Sequence, residues 1–143
     1  MSSNEEGVRS MDDCIFCKVA RGEVKSWKVY EDENTYAFFD INPATEYHTL
    51  IIPKAHYENI FDTPEEVLFK IMSTVKKVAT LYETKLGIRN VQIRNSSGVE
   101  AQQDVFHIHF HVVPRKYGDN QDTKWLSHPE WRAKFDELLI KLR

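Results

Sequence analysis

The nine residues Phe106-His107-Ile108-His109-Phe110-His111-Val112-Val113-Pro114 carry the strongest chemical signal in the chain. Three histidines alternate with Ile108, Phe110 and Val112. In an extended strand, successive side chains point to opposite faces. The alternation predicts a strand over 106–114 with His107, His109 and His111 in one row, spaced by about 6–7 Å. The apolar residues then face a core on the other side. Pro114 suits the strand end, because it has no N–H to give a ladder. A lone buried histidine is ordinarily a satisfied core residue, but three on one face have little use in packing. A neutral imidazole is nucleophilic and leaves phosphorus readily, so it can split a displacement there into two easier steps. The middle residue, His109, is the candidate nucleophile. Its other ring nitrogen must then donate, to a backbone carbonyl, to fix the tautomer. His111, if protonated, can stabilise phosphoryl oxygens or protonate the leaving group. A simple metal site and a solvated strand face are the competing readings of the row.

A second constellation is Cys14-x-x-Cys17, half of a tetrahedral zinc site. It needs two more ligands, and His48, His56 and His107 are the candidates. The alternative is a pair of unmetallated thiols acting as small apolar residues.

Strands, turns and helices must position these groups. Residues 14–20 read as a short helix or turn, ended by Gly22. Lys25–Glu31 alternates with Trp27 and Val29 on one face, and Thr35–Ile41 is aromatic and β-branched, so both read as strands. His48–Pro53 is a third strand, and Asn90–Asn95 a fourth. Between these two lies a helix from Pro64 to about Leu86, with Thr63 as candidate cap and Gly87 as its stop. Its stripe of Val67, Leu68, Ile71, Val75, Val78, Ala79 and Tyr82 reads as core packing. Ser96–Asp104 is a polar loop. Lys116–Lys124 is a polar linker, and residues 129–142 form a second helix with Trp131, Phe135, Leu138 and Leu139 on one stripe. Strands joined by short turns around one long helix give an α+β fold with a mainly antiparallel sheet.

The 143 residues suffice for one domain with a real core, and 41% hydrophobic with 29% charged residues is ordinary for a globular chain. A net charge of −3 offers no general attraction to nucleic acid or anionic membrane. No apolar run approaches the roughly 20 residues of a membrane-spanning helix. Residues 1–13 are polar and acidic, which predicts a disordered leader before a single domain over 14–143. Two cysteines fit a reducing, cytoplasmic setting better than a disulfide framework.

The triad stretch resembles the histidine triad (HIT) family of nucleotide hydrolases and transferases, whose motif is His-x-His-x-His with apolar x. Cys14-Ile15-Phe16-Cys17, Ala37-Phe38-Phe39-Asp40-Ile41, His48-Thr49-Leu50-Ile51-Ile52-Pro53-Lys54-Ala55-His56 and Asn95 fall where family members carry similar segments. The likeness runs from about Cys14 to Arg115. It implies a five-stranded antiparallel sheet with helices packed on it and a two-fold homodimer. It also implies hydrolysis or transfer at the α-phosphorus of purine nucleoside phosphoramidates or related AMP conjugates, through a nucleotidyl-histidine intermediate on His109. A dinucleoside polyphosphate hydrolase and a nucleotide-binding regulator with incidental hydrolysis are the alternatives. By the same resemblance, Asp40 accepts the ribose hydroxyls, and Ile15, Phe16, Val19, Phe38 and Ile41 form the base slot. Without it, these apolar residues read as core. Asn95, Gln103 and Asp104 lie beside the phosphate, and a turn role remains open for Asn95. Zinc-bearing relatives, including the galactose-1-phosphate uridylyltransferase branch, imply zinc on Cys14, Cys17, His56 and His107. His48 then supports the active site. Two residues depart from the pattern: Gln102 replaces a usual glycine, and Asp104 a common Ser or Thr. An ionised Asp104 repels a phosphate, but it can brace the loop by accepting backbone N–H groups.

Overall fold

The computed structural model describes residues 13–143, so the leader expected over 1–13 lies outside the described residues except for Asp13. The elements are α1 (Ile15–Ala20), β1 (Lys28–Glu31), β2 (Thr35–Phe39), β3 (Thr49–Pro53), α2 (Glu65–Leu86), β4 (Val91–Arg94), β5 (Phe110–Pro114) and α3 (Phe135–Ile140). Short 3₁₀ turns cover Val99–Ala101 and Pro129–Lys134. The strands form one antiparallel sheet in the order β1-β2-β3-β5-β4. The fold is the α+β, five-stranded architecture expected. No helix among the described residues is long and apolar enough to cross a membrane.

Both faces of the sheet are covered, which is why β2 and β3 read as almost unbroken apolar runs. On one face, Ala37, Ile51, Ile108 and Val112 meet Ile71, Val75, Val78 and Tyr82 of α2. On the other, Tyr36, Phe38, Leu50 and Ile52 meet Phe16, Cys17 and Val19 of α1. Polar groups inside this core are paired. Thr35 and Thr74 share a hydroxyl hydrogen bond of 2.6 Å, and Thr49 donates to the Tyr47 carbonyl at 2.7 Å.

Boundaries differ from the sequence reading: β2 stops at Phe39 short of Ile41, β3 starts after His48, and β4 loses Asn90 and Asn95. The first strand begins at Lys28, and Trp27 is half exposed. Pro64 occupies the N-cap of α2 without a side-chain cap, while the Thr63 hydroxyl donates to the Asn59 carbonyl at 2.6 Å. The helix expected over 129–142 is split into a 3₁₀ turn and α3, and its stripe of Trp131, Phe135, Leu138 and Leu139 is exposed. Lastly, the triad ladder covers only Phe110–Pro114, so His107 and His109 precede it. On the β3 side, Pro53 lacks an N–H to continue the ladder, and the Ile108 N–H goes to the Tyr57 carbonyl at 2.7 Å. On the β4 side, a side chain supplies the next rung: Asn95 Nδ2 donates to the His109 carbonyl at 3.0 Å. The alternation of faces survives, with Ile108 and Val112 buried against α2.

Candidate active site and metal centre

Backbone carbonyls fix the rings of His107 and His109, and the His48 side chain holds that of His111. His107 Nε2 donates to the Pro53 carbonyl at 2.8 Å, leaving Nδ1 as a lone pair toward Cys14 and Cys17. His109 Nδ1 donates to the His107 carbonyl at 2.8 Å, so its Nε2 carries the lone pair. For His111 the tautomer follows from a relay. The Ala44 N–H donates to His48 Nδ1 at 2.9 Å, so His48 is protonated on Nε2. That nitrogen donates to His111 Nδ1 at 2.9 Å, leaving His111 Nε2–H as a donor into the cleft. Burial, then the neighbouring His109, pushes the His111 pKa down to about 4. His111 is therefore neutral at pH 7, in place of the imidazolium considered from sequence. Burial also lowers His48, against the opposing pull of Asp40, whose Oδ2 lies 3.5 Å from His48 Nε2.

Two clefts meet at these rings. The first, about 260 Å³, is lined by Ile15, Phe16, Val19, Phe38, Asp40 and Ile41, all candidates from the sequence. It also takes in Val24, Lys25, Ser26, Asn42, Leu50 and Val105, which no sequence signal had singled out. Phe16 stands edge-on to His109, with ring centroids 5.1 Å apart. Asp40 Oδ1 accepts the Asn42 N–H at 2.8 Å, which orients the carboxylate. The second cleft, about 240 Å³, is polar and includes His48, Gln92, Arg94, Ser96, Gln102, Gln121 and Thr123. His109, His111 and Asp104 line both.

Two sequence candidates face away from the clefts. Gln103 is buried, accepts the Gly98 N–H at 2.8 Å and donates to the carbonyls of Glu58 and Val105. Asn95 spends its Nδ2 on His109 and accepts from the Ser97 hydroxyl at 2.8 Å. Asn95 thus braces the His109 backbone, and Gln103 braces the loop that precedes the triad. Asp104 Oδ1 accepts the Val105 N–H at 2.9 Å and stands 3.7 Å from His109 Nε2, beyond hydrogen-bond length. Gln102 has φ +74°, in the left-handed region that favours glycine.

Behind the triad, Cys14, Cys17, His56 and His107 bring one ligand atom each within 4.8 Å of one another. The Sγ–Nδ1 distances are 3.3–3.4 Å and the two Nδ1 atoms are 3.2 Å apart. A tetrahedron with zinc–sulfur bonds of about 2.3 Å and zinc–nitrogen bonds of about 2.05 Å has edges of about 3.3–3.8 Å. The donor set therefore fits a metal ion. His107 is neutral, as a ligand must be, with burial holding its pKa down at about 4. Burial pushes the Cys17 thiol up to about 12, and a dication is the kind of partner that reverses such a shift. Cys14 and Cys17 start α1, so the cluster ties the wall of the apolar cleft to the root of the triad.

The chain belongs to the HIT domain family, whose sequence model matches residues 21–118. An uncharacterised HIT-like protein of Methanocaldococcus jannaschii is 44% identical over 112 residues, 78% of this chain and 86% of that one. The adenosine 5′-monophosphoramidase of Saccharomyces cerevisiae is 39% identical over 125 residues, 87% of this chain and 75% of that one. Among solved structures, a HIT family protein from Bacillus anthracis superposes with a TM-score of 0.84 at 35% identity, covering 92% and 95% of the two chains. A zinc-bound histidine triad protein from Mycobacterium smegmatis gives 0.74 at 33% identity, covering 92% and 99%.

Proposed function

We propose that the chain is a nucleotide hydrolase or nucleotidyl transferase acting at the α-phosphorus of purine nucleoside phosphoramidates and related AMP conjugates. The observation that carries this reading is the meeting of an apolar and a polar cleft at the His109 Nε2 lone pair. The base and ribose occupy the apolar cleft, with Asp40 accepting from the ribose hydroxyls. His109 Nε2 attacks phosphorus, the P–N bond breaks, and the amine leaves with the bonding pair and takes up a proton. Water then attacks the nucleotidyl-histidine, giving AMP, a proton and the free imidazole. His111 Nε2–H donates to a phosphoryl oxygen as negative charge builds there. Similarity to the yeast adenosine 5′-monophosphoramidase supports the reading.

Zinc is the ion we assign to Cys14, Cys17, His56 and His107, in keeping with the zinc-bound relative. Four protein ligands close the site, so the ion would hold α1 to the triad segment and take no part at phosphorus. A homodimer, favoured by the exposed apolar stripe of the C-terminal segment, and a cytoplasmic setting suited to two free thiols complete the reading.

The decisive experiment pairs rapid quench of the wild type with steady-state assay of His109→Ala. The expected result is a trapped nucleotidyl adduct in the wild type. In the variant, turnover should fall by at least about 10³-fold, as for loss of a covalent nucleophile, with nucleotide affinity nearly intact. Comparable turnover by the variant, with no adduct in the wild type, overturns the mechanism.

A further inference from the structure

The polar cleft contains a cation that the mechanism has not used. Arg94 closes β4, and its Cα is the register partner of His111 on β5. Paired residues of neighbouring antiparallel strands project from the same face. The Arg94 side chain therefore rises beside His111 and lines the polar cleft, away from the apolar one. It is exposed, and its guanidinium has no hydrogen bond or ion pair with any described residue. The contrast with Arg115 is informative. That guanidinium is consumed by Asp119, Asp122 and Gln92, and it does not reach the cleft lining. Arg94 also lowers the pKa values of both His48 and His111, which places its charge within electrostatic reach of the relay. Among the described residues, the one carboxylate lining this cleft is Asp104, which belongs to the His109 end and lines both clefts.

We infer that Arg94 selects the leaving group: the substrates turned over best carry a negative charge on the part expelled, such as the carboxylate of an amino acid joined to AMP through its nitrogen. The inference rests on the adenylyl-transfer reading above and narrows it. In the displacement the P–N bond breaks, the amine nitrogen takes the bonding pair and a proton, and the carboxylate one carbon away is held by Arg94 throughout. A fork of N–H donors suits a planar carboxylate. A neutral or cationic amine finds no such partner there. Gln92 and Thr123 also line this cleft.

Two probes differ by one charge: adenosine 5′-phosphoramidate N-linked to glycine, and the same compound N-linked to glycinamide, whose amine is the less basic leaving group, so the wild-type preference is read against that of Arg94→Met. They share the bond broken, the nucleoside and nearly the same shape. Wild type should prefer the glycine conjugate in kcat/KM by about 5–10-fold, the scale of one solvent-accessible charge-assisted hydrogen bond. The preference should shrink as salt is raised. In Arg94→Met it should fall to about twofold or less, and Arg94→Lys should keep part of it. Equal rates on both probes in the wild type overturn the inference while leaving the adenylyl-transfer reading standing, as does an undiminished preference in Arg94→Met. No turnover of either probe overturns that reading and the inference with it.

Discussion

Gln102→Gly should stabilise the protein. Gln102 ends the 3₁₀ turn before the triad with φ +74° and ψ +26°. For a residue with a Cβ, that conformation costs about 1–2 kcal/mol. Its side chain is exposed and makes no hydrogen bond to a described residue, while its N–H donates to the Val99 carbonyl at 2.9 Å and is kept by glycine. Against the relief stands the larger conformational entropy of glycine in the unfolded chain, about 0.4–1 kcal/mol. The net gain is about 0.5–1 kcal/mol, or about 2–4 °C in Tm for a domain of this size. Urea denaturation at pH 7.5 with metal-loaded protein measures it, with Gln102→Ala as control. Alanine keeps the Cβ and should leave stability almost unchanged. A destabilised glycine variant, or equal stabilisation by alanine, would refute the argument that backbone strain resides at this position.

The remaining predictions address the site. His111 is held neutral with a pKa of about 4 against an ordinary value of 6.5, and His48 is shifted the same way. The unfolded chain therefore binds protons that the folded chain refuses, so stability should fall as pH drops from about 6.5 and the loss should level off near 4. His111→Asn should show a shallower decline in urea midpoint over that window, and an unchanged slope would count against the assignment. Removing metal with a chelator should lower Tm by about 10 °C, from about 4 kcal/mol of linkage at a thousandfold excess of free ion over its Kd. Cys17→Ser should mimic chelation and His48→Ala should not; elemental analysis finding no zinc in protein prepared without chelator would defeat the assignment. Asp40→Ala should weaken AMP by about 10–100-fold, from roughly 1.5–3 kcal/mol per charged hydrogen bond. It should barely affect the 2′,3′-dideoxy compound; equal losses in calorimetry would remove Asp40 from the ribose site.

What the sequence by itself determined is what depends on neighbours along the chain. Period-two alternation in 106–114 placed the histidines on one face and Ile108 and Val112 on the other, whether or not a ladder formed beneath them. Helical spacing and Gly87 defined α2, because those signals act within a turn or two. The resemblance carried further, naming Cys14, Cys17, His56 and His107 as a set. The tertiary structure decided how segments 40–90 residues apart meet. Strand register set Arg94 beside His111, which no local pattern encodes, since a slip of one residue reverses its face. The β4 ladder ends at Arg94, so the His109 carbonyl is met by the Asn95 side chain, turning a candidate phosphate contact into a brace. Gln103 likewise reads as a polar loop residue until Gly98, Glu58 and Val105 are seen around it. The stripe of Trp131, Phe135, Leu138 and Leu139 shows the same limit from the other side. Amphipathic spacing says that a face is apolar, while only the arrangement of the remaining chain decides whether anything covers it.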